Sequence, residues 1–166
     1  MTIRDFEAMY VADLYRARED AKALIAALPK LADASADPEL AAAFKAHLTE
    51  TSQQLDRLDH MAADYKTPAS AADGAAMKAL LSQAIHAGDG IDPGALRDTA
   101  TIAAAQRVQH YRIATYGTLA AYAKQLHHHD EKRILGAILE EERAIDEDLT
   151  VIATDLIGAL GDVVAA

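Results

Sequence analysis

Cysteine is absent from the 166 residues, which removes disulfide scaffolds, thiolate catalysis and Cys-ligated zinc or iron–sulfur sites together. With no thiolate available, any metal is expected to rely on His and carboxylate ligands. Tryptophan is absent too, aromatics make up only 5%, and β-branched runs are missing, so no sheet is expected. No apolar stretch approaches the roughly 20 residues needed to cross a bilayer. The opening MTIRDFEAMY carries acids where a signal peptide needs a basic flank and an apolar run. Positive charge is in short supply: 16 Lys and Arg against 26 Asp and Glu leave a net charge of −10, which repels phosphate backbones and anionic lipid. A cytoplasmic protein with no nucleic-acid and no membrane partner is therefore expected. A DNA-protecting role would need a basic tail, and Gly161-Asp162-Val163-Val164-Ala165-Ala166 has none. The G-x-S-x-G, G-x-x-x-x-G-K-[ST] and H-E-x-x-H patterns are also missing, so nucleophile-elbow, P-loop and zincin chemistry have no support.

What is present favours helix almost everywhere, since nearly a quarter of the residues are alanine. At 17.7 kDa the chain fits one domain spanning residues 1–166. Breakers divide it. Asp37-Pro38 reads as an N-cap with proline at the first helical position, Thr67-Pro68 ends the segment before it, and Ile91-Asp92-Pro93-Gly94 opens another. His127-His128-His129-Asp130 interrupts the last long apolar pattern, with Asp130 as cap. The histidine triplet reads as a solvated turn or as a scavenger of transition metals. Four long helices follow, near residues 3–34, 38–65, 94–126 and 131–160, with Pro29 bending the first and Ala75–Ala87 forming a short helix in the crossover 66–93. Two antiparallel hairpins joined by one long crossover make an all-α, ferritin-like four-helix bundle.

Polar residues stand where apolar ones belong. The last helix carries an apolar ladder at Ile134, Ile138, Ile145, Leu149, Ile152 and Leu156, and its spacing of three and four puts Glu142 on one rung. Asp146 lies four residues on. The third long helix runs Ile102, Ala105, Gln109, Arg112, Tyr116 and Leu119, flanked by Gln106 and His110. On the second, Phe44, Leu48, Leu55 and Leu58 mark the buried face, with His47, Glu50 and Gln54 at its edge. Any one of these polar side chains at the flank of a stripe would simply reach solvent. Glu142, Gln109 and Arg112 together point to a site inside the bundle, because a buried unpaired charge costs several kcal/mol. A carboxylate-bridged di-iron or di-manganese centre would use two Glu-x-x-His elements, and the chain contains none.

The run Gly94-Ala95-Leu96-Arg97-Asp98 and then Ile102 through Leu119, including Gln109-His110-Tyr111-Arg112, closely resembles the ferritin-like stress-response family typified by the YciE and YciF proteins. Ala27-Leu28-Pro29-Lys30-Leu31, Pro38-Glu39-Leu40 through Phe44, His47-Leu48-Thr49-Glu50-Thr51, and Glu140-Glu141-Glu142 through Asp146 support the resemblance, which covers nearly the whole chain. It implies a bacterial, cytoplasmic, dimeric bundle linked to stress responses and able to hold two metals among carboxylates of its four helices. The homodimer rests on this resemblance. Tyr10, Tyr15, Tyr111 and Tyr122 read either as contacts between subunits or as ordinary core.

Against the family pattern Glu-His-Tyr-Glu, this chain has Gln109 and Arg112, so two carboxylates are lost and one position has become cationic. The second helix has Thr49 in place of one acid and keeps Glu50. On the first helix the family glutamate falls on Ala21 or on Arg18, depending on the register, and neither is a ligand. The expectation is a non-enzymatic protein without iron or manganese, its metal position filled by a polar cluster of Glu50, Gln109, Arg112, Glu142 and Asp146. Arg112 would pair with Glu142 or Glu50. The alternative is an Fe- or Mn-dependent oxidase or iron-handling protein with an altered ligand set of His47, Glu50, His110, Glu142 and Asp146.

Overall fold

The computed structural model describes residues 5–66 and 74–164, and among them there are five helices and no strand. The expected break at Thr67-Pro68, the first four residues and the last two lie outside the described residues. Helix α1 (Phe6–Ala34) begins where the Asp5 side chain accepts a hydrogen bond from the Ala8 amide at 2.7 Å, and it runs through Pro29. Helix α2 (Pro38–Ala62) opens as expected, with Asp37 accepting from the Leu40 amide at 2.8 Å and proline in the first turn. Its end comes three residues before the expected boundary, because the chain turns at Ala63–Tyr65.

Helix α3 (Ala75–His86) occupies the crossover. Gly74 caps it with φ +60°, and a Cβ there would stand 3.1 Å from Asp20 Oδ1, so both conformation and space suit glycine. Helix α4 (Ala95–Gln125) follows Gly94. The α4–α5 turn contains His127, a non-glycine residue at φ +61°. Helix α5 (His129–Val164) starts two residues earlier than expected. Asp130 therefore lies inside its first turn with Glu131, where the partial positive end of the helix favours a carboxylate, instead of capping it.

Helix α1 packs along α2, α4 along α5, and α3 lies against α1 and α4. The short α1–α2 and α4–α5 connections make both pairs antiparallel hairpins, joined by the long crossover. Asp98, buried in the first turn of α4, fastens the hairpins together: its carboxylate accepts the amides of Ala36 at 3.1 Å and Asp37 at 2.7 Å in the α1–α2 loop.

Buried residues step by fours and threes on every long helix, the spacing that keeps one seam facing its neighbours in a bundle. The ladders are Tyr10, Leu14, Ala17, Ala21, Leu24, Leu28 and Leu31 on α1, and Leu40, Phe44, His47, Thr51, Gln54, Leu58 and Met61 on α2. On α4 the ladder runs Asp98, Ile102, Ala105, Gln109, Arg112, Tyr116, Leu119 and Ala123. On α5 the buried rungs are Leu135, Ile138, Glu142, Leu149 and Ile152, and Ile134, Ile145 and Leu156 of the expected ladder are only half-buried. Apolar rungs gather into two clusters. One is built around Leu24, Leu28, Leu40, Phe44 and Ile102, the other around Tyr10, Leu14, Leu58, Leu119 and Ile138. Burial of each large aliphatic side chain contributes about 1.5–3 kcal/mol. No helix among the described residues is long and apolar enough to cross a membrane.

Candidate functional site: a buried arginine between two apolar clusters

The polar rungs form a layer between these clusters, and Arg112 of α4 is its centre. Only 2% of its side chain is exposed. Its Nε donates to Glu142 Oε2 at 2.8 Å and its Nη2 to Glu142 Oε1 at 2.6 Å, a side-on pair with a carboxylate that is itself fully buried. A third bond runs from Arg112 Nη2 to Gln54 Oε1 of α2 at 2.5 Å. Gln109 sits one turn before Arg112 and donates to Glu142 Oε2 at 3.0 Å and to the Glu142 carbonyl at 3.3 Å. The Tyr116 ring, one turn after, holds its centroid 5.3 Å from the guanidinium carbon.

Burial alone would push the Glu142 carboxyl up, but the Arg112 charge and the bonds it donates outweigh burial and hold it below the usual carboxylate range. Burial works against the charge on Arg112 as well, yet its anionic surroundings keep the guanidinium protonated. Asp20 of α1 is also buried in this region, where it accepts the Tyr111 hydroxyl at 3.1 Å. Burial raises its pKa, opposed by the Tyr111 bond and by Arg112.

A second, shallower ion pair connects to the first. Gln54 Nε2 donates to Glu141 Oε2 at 3.2 Å, and Arg57 Nη1 and Nη2 donate to the two Glu141 oxygens at 2.8 and 2.5 Å. Gln54 thus accepts from the buried arginine and donates to the outer glutamate, which ties α2 to α5. Burial and the neighbouring Glu141 push the Glu50 carboxyl up.

Of the residues expected at the site, the structure brings Gln109, Arg112 and Glu142 together and separates Glu50 and Asp146 from them. Glu50 stands 3.7 Å from Arg57 in the outer pair, and the half-buried Asp146 lies 3.5 Å from the exposed His110. His110 is largely exposed, so the five residues of the alternative ligand set do not converge. Among the described residues no group of three or more His, Asp or Glu side chains is placed to hold a metal ion. Ala21 occupies the buried rung on α1, and Arg18 turns outward to pair with Asp59, donating from Nε at 2.6 Å.

His47 is at the centre of α2's seam instead of its edge. Its Nε2 has no hydrogen-bond partner, nor do Thr51 Oγ1 and Gln109 Oε1. His47 and Gln109 border a void of about 10 Å³, close to the room one water requires. Burial lowers the His47 pKa to about 4, so the ring is neutral at pH 7. On its outer side His47 borders a cavity of about 280 Å³ between α2 and α5, with Phe44, Glu50, Glu141, Ile145 and Leu149. Tyr10 and Tyr15 are buried, Tyr111 serves Asp20, and Tyr122 meets Phe6 edge-on at 5.1 Å.

Residues 5–159 match the family described as a domain of unknown function, DUF892. The chain is 39% identical over 153 residues to Protein YciF of Escherichia coli strain K12, covering 92% of this chain and 90% of that protein. Its structure is similar to the crystal structure of the E. coli stress protein YciF, with a TM-score of 0.88, 36% identity, and 94% and 99% of the two chains covered. A Rhodopseudomonas palustris protein, YcfI, described as a candidate structural protein, superposes with a TM-score of 0.83 at 32% identity, covering 89% of this chain and 94% of its own.

Two outcomes follow from the geometry. Arg112→Met strands Glu142 and Gln54 in a dry interior and is expected to lower the unfolding free energy by about 3–5 kcal/mol, measured by chemical denaturation. A loss under roughly 0.5 kcal/mol, the size of an ordinary surface change, would show that the pair does not hold the bundle. His47 has its folded pKa below its unfolded one, so the unfolded chain binds more protons between them. Stability is fully present above about pH 6.5 and falls by about 3 kcal/mol as pH drops to 4. Subtracting the denaturation profile of His47→Leu isolates this contribution, and identical profiles would refute it.

Proposed function

The chain belongs to the DUF892 family, and from that premise we propose that it is a non-enzymatic, stress-associated bundle protein of the cytoplasm. In this reading an arginine–carboxylate network stands in the mid-bundle position where a ferritin-like relative holds metal. The observation that carries the reading is the guanidinium of Arg112, bidentate to Glu142 and 2% exposed. A fixed cation at that point repels a divalent ion and already occupies both oxygens of the one fully buried glutamate. Gln109 adds a donor where a metal would need another anion. The stress connection draws on the likeness to E. coli YciF, and the structural role on the likeness to the R. palustris protein. Self-association as a homodimer is carried over from the family resemblance.

The test of the centre is Mn(II) binding followed by electron paramagnetic resonance. The natural chain is expected to leave the free Mn(II) signal undiminished, while Gln109→Glu with Arg112→Glu, which restores the family's acids, is expected to reduce it. Tight retention of one or two ions by the natural chain, lost in Glu142→Ala, would overturn the reading and favour the Fe- or Mn-dependent oxidase. For assembly, light scattering after size exclusion is expected to give about twice the 17.7 kDa chain mass, and a single-chain mass at micromolar concentration would refute the dimer.

A further inference from the structure

At the end of the bundle that carries the start of α1 and the α4–α5 turn, three side chains converge on the carboxylate of Glu131: Tyr10 from α1, Tyr65 from the turn after α2, and His128 from the α4–α5 turn. Glu131, in the first turn of α5, accepts the Tyr10 hydroxyl at Oε2 (2.6 Å), and the Tyr65 hydroxyl lies 2.9 Å from its Oε1 and 3.0 Å from its Oε2. His128 Nδ1 lies 3.0 Å from the Tyr65 hydroxyl and 3.1 Å from Glu131 Oε2. Hard cations take donors at about 2.0–2.1 Å in octahedral geometry, which puts adjacent donors about 2.8–3.0 Å apart. The spacing in the cluster is close to that of neighbouring ligands around one ion.

We propose that Tyr10, Tyr65, His128 and Glu131 form a mononuclear site for a hard trivalent cation, ferric iron in the cell. The choice of charge follows from the donors. Two phenolates and one carboxylate supply three negative charges and the imidazole supplies none, so a trivalent ion leaves the half-buried assembly neutral whereas a divalent ion leaves it anionic. Without the ion, burial and the Glu131 charge keep both phenols protonated and donating to the carboxylate. Entry of the cation reverses that balance: M³⁺ takes two phenolates, Glu131 and neutral His128, two protons leave, and no electron is transferred.

The surroundings fix the donors and leave a way in. Tyr15 donates to the carbonyls of Ala62 and Tyr65 at 3.1 and 3.3 Å, holding the turn that carries Tyr65. The left-handed His127 redirects the chain so that His128 faces inward while His127 and His129 stay exposed. The Tyr10 side is closed, whereas the side chains of His128 and Glu131 are 25% and 15% exposed. None of these residues belongs to the Arg112 network, so the two regions are tested apart.

The experiment titrates the chain with ferric nitrilotriacetate, and with Ga(III) as a redox-inert control. One ion per chain and a visible phenolate-to-iron charge-transfer band are expected, with two protons released per ion. Tyr65→Phe and Glu131→Gln are expected to weaken binding about tenfold or more, with circular dichroism verifying the helices. Absence of the band and of retained iron in the natural chain overturns the proposal whatever the variants do. So does iron that survives Tyr65→Phe and Glu131→Gln but is lost in His127→Ala with His129→Ala, which would mark surface scavenging. Iron lost only in Glu142→Ala would overturn both this site and the metal-free reading of the bundle centre.

Discussion

The structure depends on one requirement: a guanidinium taken almost completely out of water must be met by acceptors at fixed distances. Desolvation of two ions costs several kcal/mol each, and the attraction between them offsets this only when geometry is close and the remaining donors are occupied. Arg112 achieves that with Glu142 from α5 and Gln54 from α2. Because the acceptors come from different helices, sliding any helix by one turn, about 5.4 Å, would leave a buried charge unpaired. Apolar ladders of Leu and Ala tolerate such slips far better. The polar layer therefore sets the register, and the apolar clusters on either side supply the bulk of the burial.

Much of this was legible from spacing. On α4 every rung from Ile102 to Leu119 is buried, because the apolar neighbours define the line unambiguously and Gln109 and Arg112 fall on it. The α2 ladder was harder to read, since three consecutive rungs, His47, Thr51 and Gln54, are polar. From His47 a step of three reaches Glu50 and a step of four reaches Thr51. Only the continuation through Leu58 and Met61 selects Thr51, turning Glu50 about 100° off the seam toward Arg57. Asp146 misleads in the same way. Four residues beyond Glu142 looks like the next rung, but α5 steps by three to Ile145 and then by four to Leu149, leaving Asp146 beside His110. Asp20 had no such signal, because it is buried next to the Ala21 rung through the close approach of Gly74.

The two Arg–Glu pairs differ in what they contribute. Arg57 and Glu141 are about a third exposed, so solvent screens them and their net worth is small. Their position matters more: through Gln54 they extend the buried bonds to the cavity between α2 and α5, where the hairpins have no shared loop. His47 borders that cavity as a neutral ring with one unpartnered nitrogen. That is a cost in stability at low pH, and it keeps a second cation away from Arg112.

The chain thus handles positive charge in opposite ways at its centre and its end. At the centre the cation is covalently part of the chain, cannot deprotonate at accessible pH, and needs no exchange with solvent. At the end, two phenol protons are held against Glu131, and the proposed site exchanges them for an external ion. A covalently held arginine suits a position whose task is to fix register, since it never dissociates. A partly exposed cluster of neutral phenols suits reversible capture, because the empty form is already satisfied by hydrogen bonds and the bundle stays folded with or without the ion.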